Sequence, residues 1–242
     1  MIDTKSMKEL TIVIPCKNEE NYIHHLVDAL SLQTGIRETR IIIADASTDN
    51  TREVIKEAKK KTGLNIDVVE GGPVSIAKNN GAKIATTQYL CFIDADVRFW
   101  SKDVLYDALS KMKENDLDLI GLKMKCYDDD VRAKLGFAIF NIVNKFLSKW
   151  QPFAVGAFMM MPNKKFRELG GFACRYPTSE DYFLSKQVDS KRFMLMDHYC
   201  GQDSRRFKKM GYLGMATYLI RNFLNRNNDV YWERMDESKY WS

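Results

Sequence analysis

The sequence predicts an α/β fold, a mostly parallel mixed sheet flanked by helices, and three observations predict it. Strand and helix signals alternate along the first half of the chain. The run Tyr89-Leu90-Cys91-Phe92-Ile93 is continuously apolar, as a strand covered on both faces must be. That run stops abruptly at Asp94-Ala95-Asp96, and open α/β sheets gather their ligands beyond such carboxyl ends.

Each element follows from its own pattern. Leu10 to Pro15 reads as the first strand. Asn18 to Leu32 reads as a helix with Ile23, Leu26, Val27 and Leu30 on one face. Thr39 to Ala44 is a second strand. Asp49 to Thr62 is a helix in which Val54, Ile55 and Ala58 recur at helical spacing above a lysine-rich far side. Asn65 to Val69 (strand), Ser75 to Thr86 (helix) and Tyr89 to Ile93 (strand) complete the series, which requires crossover helices between parallel strands. Val104 to Asn115 then reads as a helix and Leu117 to Met124 as a strand. Val131 to Trp150 is a long helix with Leu135, Ile139, Ile142, Val143, Phe146 and Trp150 on one stripe, which Phe137 and Phe140 widen beyond a simple core face. Phe153 to Met161 reads as a strand, and Asn163 to Leu169 as a short helix closing at Gly170-Gly171. From Tyr212 to Leu224 an amphipathic helix groups Met215, Ala216, Leu219, Ile220, Phe223 and Leu224. No Pro-, Gly- or Ser-rich linker divides the chain. We therefore expect one catalytic domain over residues 1–211 and a C-terminal amphipathic helix and tail over 212–242.

Composition narrows the class. At 242 residues, 45% hydrophobic and 29% charged, the chain can bury a substantial core and is not of disordered type. No apolar run approaches the ~20 residues of a membrane span, and Met1 to Ser6 lacks the apolar core of a signal peptide. The cysteines (Cys16, Cys91, Cys126, Cys174, Cys200) are odd in number, dispersed and without a Cys-x-x-Cys pair. They suit reduced thiols of a cytoplasmic protein, with neither a zinc site nor a disulfide framework. A net charge of +5 permits anionic partners without demanding nucleic acid.

Polar groups cluster where strands end: Pro15-Cys16-Lys17-Asn18-Glu19-Glu20, Asp45-Ala46-Ser47-Thr48-Asp49, Asp94-Ala95-Asp96 and, later, Ser179-Glu180-Asp181. Taken singly, each has a bland reading. Asn18 and Asp49 make good helix N-caps, Asp94-Ala95-Asp96 an ordinary acidic turn, and Glu180-Asp181 a solvated helix start. Held together at the carboxyl ends of one sheet, they read as a site. Two carboxylates one residue apart are costly to keep close without a positive charge between them. A Mg²⁺-like ion carrying a diphosphate supplies it, since such ions take one or two carboxylates plus phosphate oxygens and water.

In order along the chain these motifs resemble those of family 2 inverting glycosyltransferases of the Rossmann-like GT-A fold. TIVIPCKNEENYI resembles the opening strand and nucleotide loop, and IIIADASTDNT the Asp-x-Ser-x-Asp element. GGPVSIAKNNGAKIATTQYLCFIDADV resembles the helix that runs into the metal-binding Asp-x-Asp. ELGGF and SEDYFLS match the acceptor-side Gly-Gly-Phe and Glu-Asp. The resemblance spans about residues 9 to 210. It implies that Pro15, Asn18 and Glu19 line the nucleoside pocket and that Asp45 bonds the base. Asp94 then approaches the ribose and the ion, and Asp96 ligates Mn²⁺ or Mg²⁺. Asp181 is the implied catalytic base, with Glu180 assisting at the acceptor. Lys78 stands where the family has Arg, a point charge in place of a planar fork. Gln202-x-x-Arg205 matches the start of a motif of processive members, but Arg206 fills its Trp position, which counts against processive polymerisation. Arg205 and Arg206 are further phosphate contacts, the rival reading being a solvated basic helix end. His198 is a candidate third metal ligand, against a structural role.

The implied donor is a nucleotide sugar, with a UDP-sugar expected, and the acceptor a lipid-linked or cell-surface glycan. Ser204 to Arg226 carries only basic charges, interleaved with Tyr212, Tyr218 and Phe223. It reads in three ways: docked on the domain by its apolar face, lying peripherally on the inner surface of an anionic membrane, or tracking nucleic acid, with modified DNA as acceptor. Trp232, Tyr240 and Trp241 suggest packing or a partner. Two rivals remain: a sugar nucleotidyltransferase, whose glycine-rich signature loop is missing here, and a non-catalytic nucleotide-sugar-binding module.

Overall fold

A computed structural model describes residues 5–235. Met1 to Thr4 and residues 236–242, including Tyr240 and Trp241, lie outside the described residues. Four parallel strands form one half of the sheet: β1 (Leu10–Cys16), β2 (Arg40–Asp45), β3 (Ile66–Glu70) and β4 (Tyr89–Ile93). The crossovers between them are helices: α1 (Ile23–Ser31), α2 (Thr51–Thr62) and α3 (Val74–Ile84). The other half is mixed and comprises β5 (Arg98–Phe99), β6 (Leu119–Cys126), β7 (Phe158–Pro162) and β8 (Phe193–Gln202). The spatial order is β3-β2-β1-β4-β7-β6-β8-β5, with β7 antiparallel to both β4 and β6 and with β8 parallel to β6. The remaining helices are α4 (Val104–Glu114), α5 (Val131–Leu147), α6 (Asn163–Glu168), α7 (Glu180–Ser185), α8 (Arg205–Met210), α9 (Tyr212–Leu224) and α10 (Asp229–Glu233).

Strand alternation divides the core between the two faces of the sheet. Ile12, Ile14, Ile41, Ile43, Cys91 and Ile93 pack with α1, α2 and α4. Val13, Ile42, Leu90 and Phe92 face the opposite way, onto Ala82 of α3, Phe166 of α6 and Phe172. Both faces being covered explains why β1 is buried at every position. The α3 helix lies especially close to the sheet. A Cβ built on Gly81 would stand 2.4 Å from Val13 Cγ1, so glycine permits the approach.

Several expected elements differ. The first helix starts at Ile23, not Asn18. Asn18 instead adopts a left-handed φ of 56°, its Oδ1 accepting the Thr48 amide at 2.9 Å while its own amide donates to Ser47 Oγ at 2.8 Å. The strand expected from Phe153 begins at Phe158, since Ala154 to Ala157 turn toward the site. The ten-residue β8 was not legible, because Asp197 and His198 bulge out of register between Met196 and Tyr199 and break its alternation.

Two apolar stripes read from the sequence are not core stripes. On α5 the packed side is Ala133, Gly136, Phe137, Phe140, Asn141, Asn144 and Ser148, while Leu135, Ile142, Phe146 and Trp150 are exposed. On α9 only Met215 is buried, so this helix does not dock by its apolar face. The C-terminal segment is anchored by Trp232, which is buried against Tyr182 and Phe183 and donates Nε1 to Asn225 O at 3.0 Å.

Gly81→Ala should lower unfolding free energy by about 1–3 kcal/mol despite alanine's better helix propensity, because the new methyl overpacks against Val13. Denaturant titration checks this, and Val13→Ala in the same chain should recover part of the loss.

Candidate active site

The carboxyl ends of β1, β2 and β4 meet where the strand order reverses, the crevice in which open α/β sheets place ligands. Pro15 and Cys16 end β1 in register with Ala44 and Asp45 of β2. Asn18 stitches the first loop to the second through Ser47 and Thr48, and Glu19 N donates to Thr51 Oγ1 at 2.9 Å. Asp45 is fully buried and already satisfied. It accepts Ser47 Oγ at 2.5 Å and Arg52 Nε at 2.6 Å, so Arg52 is the group of this pair that faces solvent.

The centre of the site is the Lys78 ammonium. Delivered by α3 and entirely buried, Nζ donates to Glu180 Oε1 at 2.8 Å and to Gly156 O at 3.3 Å, and lies 3.2 Å from Asp94 Oδ1. Burial alone would discharge the amine, but Asp94 and Glu180 outweigh it and hold Lys78 above the ordinary lysine range. Lys78 therefore bonds carboxylates on both sides of the cleft. Asp181 sits beside it, its Oδ2 accepting the Gly156 amide at 2.7 Å and its Oδ1 the Tyr182 amide at 2.7 Å. Burial and the neighbouring Glu180 carboxylate push Asp181 up to about 7. Ser179, just before this pair, is held at a φ of 65°, a cost that surrounding contacts must sustain. Asp94, Val155, Gly156, Ser179, Glu180 and Asp181 line one cleft, which Gln202 and Arg206 close.

Asp96 occupies the adjoining nucleotide side. Its Oδ2 accepts Arg205 Nη2 at 2.5 Å, and the same nitrogen reaches Glu19 Oε1 at 3.4 Å. The guanidinium also lies over the Tyr22 ring, 4.5 Å from its centroid. Burial raises the Asp96 carboxyl against the pull of Arg205, and burial likewise raises Glu19 to about 7. The segment bearing Arg205 is pinned by Asp128, whose Oδ2 accepts Ser204 N at 3.0 Å and Ser204 Oγ at 2.5 Å.

The sequence-predicted residues thus gather at these strand ends except for His198, although the Asp45 carboxylate there is taken up by Ser47 and Arg52 and not offered to a nucleobase. His198 Nε2 pairs with Asp107 Oδ2 of α4 at 2.9 Å, at the β8 bulge, and is not brought to Asp94 or Asp96. Gly156 was missed by sequence reasoning. A Cβ there would meet Lys78 Nζ at 2.9 Å and Asp181 Oδ2 at 3.3 Å, and the only signal was the small-residue run Ala154-Val155-Gly156-Ala157. Asn79 was also missed as a site residue: its amide pairs with the backbone of Phe172, at 2.8 Å to O and 3.0 Å to N, and so fixes the Gly-Gly-Phe turn.

The donor set fits a hard divalent ion that brings ligands of its own. Among the described residues no three His, Cys, Asp or Glu side chains form a self-sufficient metal cluster. Glu19 Oε2 is nevertheless a buried carboxylate oxygen without a hydrogen bond, and Asp94 Oδ1 has the Lys78 ammonium as an ion-pair partner but no hydrogen bond of good geometry. One or two carboxylates with diphosphate and water is the shell Mg²⁺ and Mn²⁺-type sites accept.

Comparison with known proteins identifies the family and the fold. The Glycosyl transferase family 2 model matches residues 11–170, which include Asp45, Lys78, Asp94, Asp96 and Gly156. The chain belongs to glycosyl transferase family 2. Glu180, Asp181 and Arg205 fall beyond the family match, so their placement here rests on geometry. Among curated members of this family, the chain is 28% identical over 124 residues to the poly(ribitol-phosphate) beta-N-acetylglucosaminyltransferase TarS of Staphylococcus aureus, covering 49% of this chain and 21% of TarS. It is 35% identical over 123 residues to the poly(ribitol-phosphate) beta-glucosyltransferase of Bacillus spizizenii, covering 48% of this chain and 19% of that protein. The chain thus spans about a fifth of the length of these relatives. Among solved structures, the mannosyltransferase PcManGT from Pyrobaculum calidifontis, in complex with GDP-Man and Mn²⁺, superposes with a TM-score of 0.66 at 19% identity, over 88% of this chain and 64% of that one. TarS 1-349 in complex with UDP-GlcNAc gives 0.63 at 20% identity, over 80% and 58%. The fold is GT-A.

Lys78→Met should cost about 3–5 kcal/mol of stability, because Asp94 and Glu180 would be left as buried charges without their counter-ion. Equilibrium unfolding at neutral pH measures the loss.

Proposed function

We propose that this protein is an inverting glycosyltransferase that moves a sugar from a nucleotide-sugar donor, a UDP-sugar, to a hydroxyl of a lipid-linked or cell-surface glycan. The observation that carries the reading is the Asp94–Lys78–Glu180 bridge, with Asp181 opening onto the same cleft. An inverting transfer is one displacement, so it needs a base facing the acceptor and stabilisation of the leaving group opposite. Asp181 accepts the acceptor hydroxyl's proton while that oxygen bonds the anomeric carbon and the sugar–phosphate bond breaks. Such a base contributes roughly 10²–10⁴-fold. Lys78 keeps Glu180 paired, so the proton goes to Asp181. On the donor side Pro15, Asn18 and Glu19 border the nucleoside, and Arg205 and Arg206 donate to the diphosphate. Asp96 and Asp94 would hold a Mn²⁺ or Mg²⁺, which when bound would supply positive charge to the leaving diphosphate. Support comes from relatives named as transferring N-acetylglucosamine and glucose to poly(ribitol phosphate), and from neighbours solved with UDP-GlcNAc and with GDP-Man and Mn²⁺. Three acidic groups kept together in one cleft favour catalysis over a binding-only module.

Turnover with a panel of nucleotide sugars and Mn²⁺ tests the assignment. Asp181→Asn should keep donor-induced thermal stabilisation and lose about 10²–10⁴-fold in kcat, whereas Asp96→Ala should lose metal-dependent donor stabilisation. Near-full turnover in Asp181→Asn would remove that residue from the base role. The pH profile has a fixed sign. A carboxyl raised to about 7 in the folded protein is protonated and inactive below that pH, so kcat/KM should climb as pH rises through about 7 and then level off.

A further inference from the structure

α5 keeps Phe137 and Phe140 against the core but turns most of its apolar side chains outward. Its inward side is fastened by amides: Asn141 Oδ1 accepts Met124 N at 2.8 Å and its Nδ2 donates to Met124 O at 2.7 Å, in the manner of a strand edge. Asn144 Nδ2 donates to Phe153 O at 3.1 Å, and Ser148 Oγ donates to Asn144 Oδ1 at 2.9 Å. Its outward side presents Leu135, Ile142, Phe146 and Trp150, 58–71% exposed. α9 adds Leu213, Ile220 and Leu224, 60–84% exposed. The two helices meet at their N-termini, where the Tyr212 hydroxyl donates to Asp130, the cap of α5, and Phe207 of α8 packs on Phe137. Charge accompanies both apolar faces. No acidic residue occurs from Val131 to Arg167 or from Ser204 to Asn228, while Arg132, Lys134, Lys145 and Lys149 lie on or just after α5 and Arg221 and Arg226 on or just after α9.

We propose that α5 and α9 together seat the protein on a bilayer with anionic headgroups. Their apolar side chains enter the headgroup–acyl boundary and their Lys and Arg residues meet lipid phosphates. Charge decides this occupant over a second copy of the chain, because two copies face to face would oppose basic side chains with no acid on either helix. The seat deepens the proposed function and rests on it for one consequence. The α8 helix joins seat to site through Phe207 on α5 and Arg206 in the cleft, so a lipid-linked acceptor would arrive from the surface on which the protein rests.

Sedimentation of the full chain with vesicles tests it. Binding should be strong to vesicles of phosphatidylcholine with about one-third phosphatidylglycerol, weak to phosphatidylcholine alone, and weakened as NaCl rises to about 0.5 M. The triple variant Ile142→Ser/Phe146→Ser/Trp150→Ser changes only exposed side chains and should bind at least about tenfold more weakly. Lys145→Glu/Lys149→Glu should weaken binding to the anionic vesicles alone. Thermal stabilisation by UDP-sugar with Mn²⁺ should be unchanged in both, which separates this proposal from the donor assignment. The proposal is overturned if wild type stays in the supernatant with both vesicle types, or if the triple variant binds as wild type does. A concentration-dependent dimer lost in the triple variant, without vesicle binding, would assign the surface to a second copy instead.

Discussion

One buried ammonium holds the functional half of this molecule together. Asp94 belongs to the end of β4 and Glu180 to the start of α7, and carboxylates brought this close repel unless a cation lies between them. Lys78 is that cation, and its position follows from backbone geometry several residues away. α3 can press onto β1 because residue 81 has no side chain, and Nζ reaches the cleft because residue 156 has none either. Sheet packing, helix placement and the ionisation of the acidic cluster are therefore one problem with one solution. A lysine suits the position, since a compact charge on a flexible stem can touch two carboxylates and a carbonyl at once.

The nucleotide side follows a different logic. There Asp96 and Glu19 share Arg205, which comes from a segment far along the chain and is anchored by the Asp128–Ser204 contact. The ends of β6 and β8 are thereby tied to the cleft. This is why a strand pair remote from the opening βαβ series matters to a site built at the series' own switch point.

Much of this was legible from the sequence because its signals are local. The continuous apolar run of Tyr89–Ile93 announced a doubly covered strand, and the abrupt acids after it announced a site. What escaped was what depends on partners distant in the chain. Asn18 resembles a helix cap in isolation, but Ser47 and Thr48 hold it in a left-handed turn. β8 hid behind its bulge, and that bulge aims His198 at Asp107 rather than at the acids. Gly156 matters only for what it leaves room for. The α5 stripe had the right period, yet periodicity reports that a helix has two faces without saying which one is turned inward.

That reversal bears on anyone re-engineering the protein. Conventional surface redesign would treat the asparagines of this helix as dispensable and its aliphatic and aromatic positions as untouchable. Here the asparagines must stay, along with the inward Phe137 and Phe140, and the exposed aliphatic and aromatic positions are the ones that can change. The amide seam formed by Asn141 and Asn144 clasps the helix to its neighbours, while the greasy flank contributes little to holding the fold together. A more soluble version should be within reach by recolouring that flank with polar residues and leaving the seam alone.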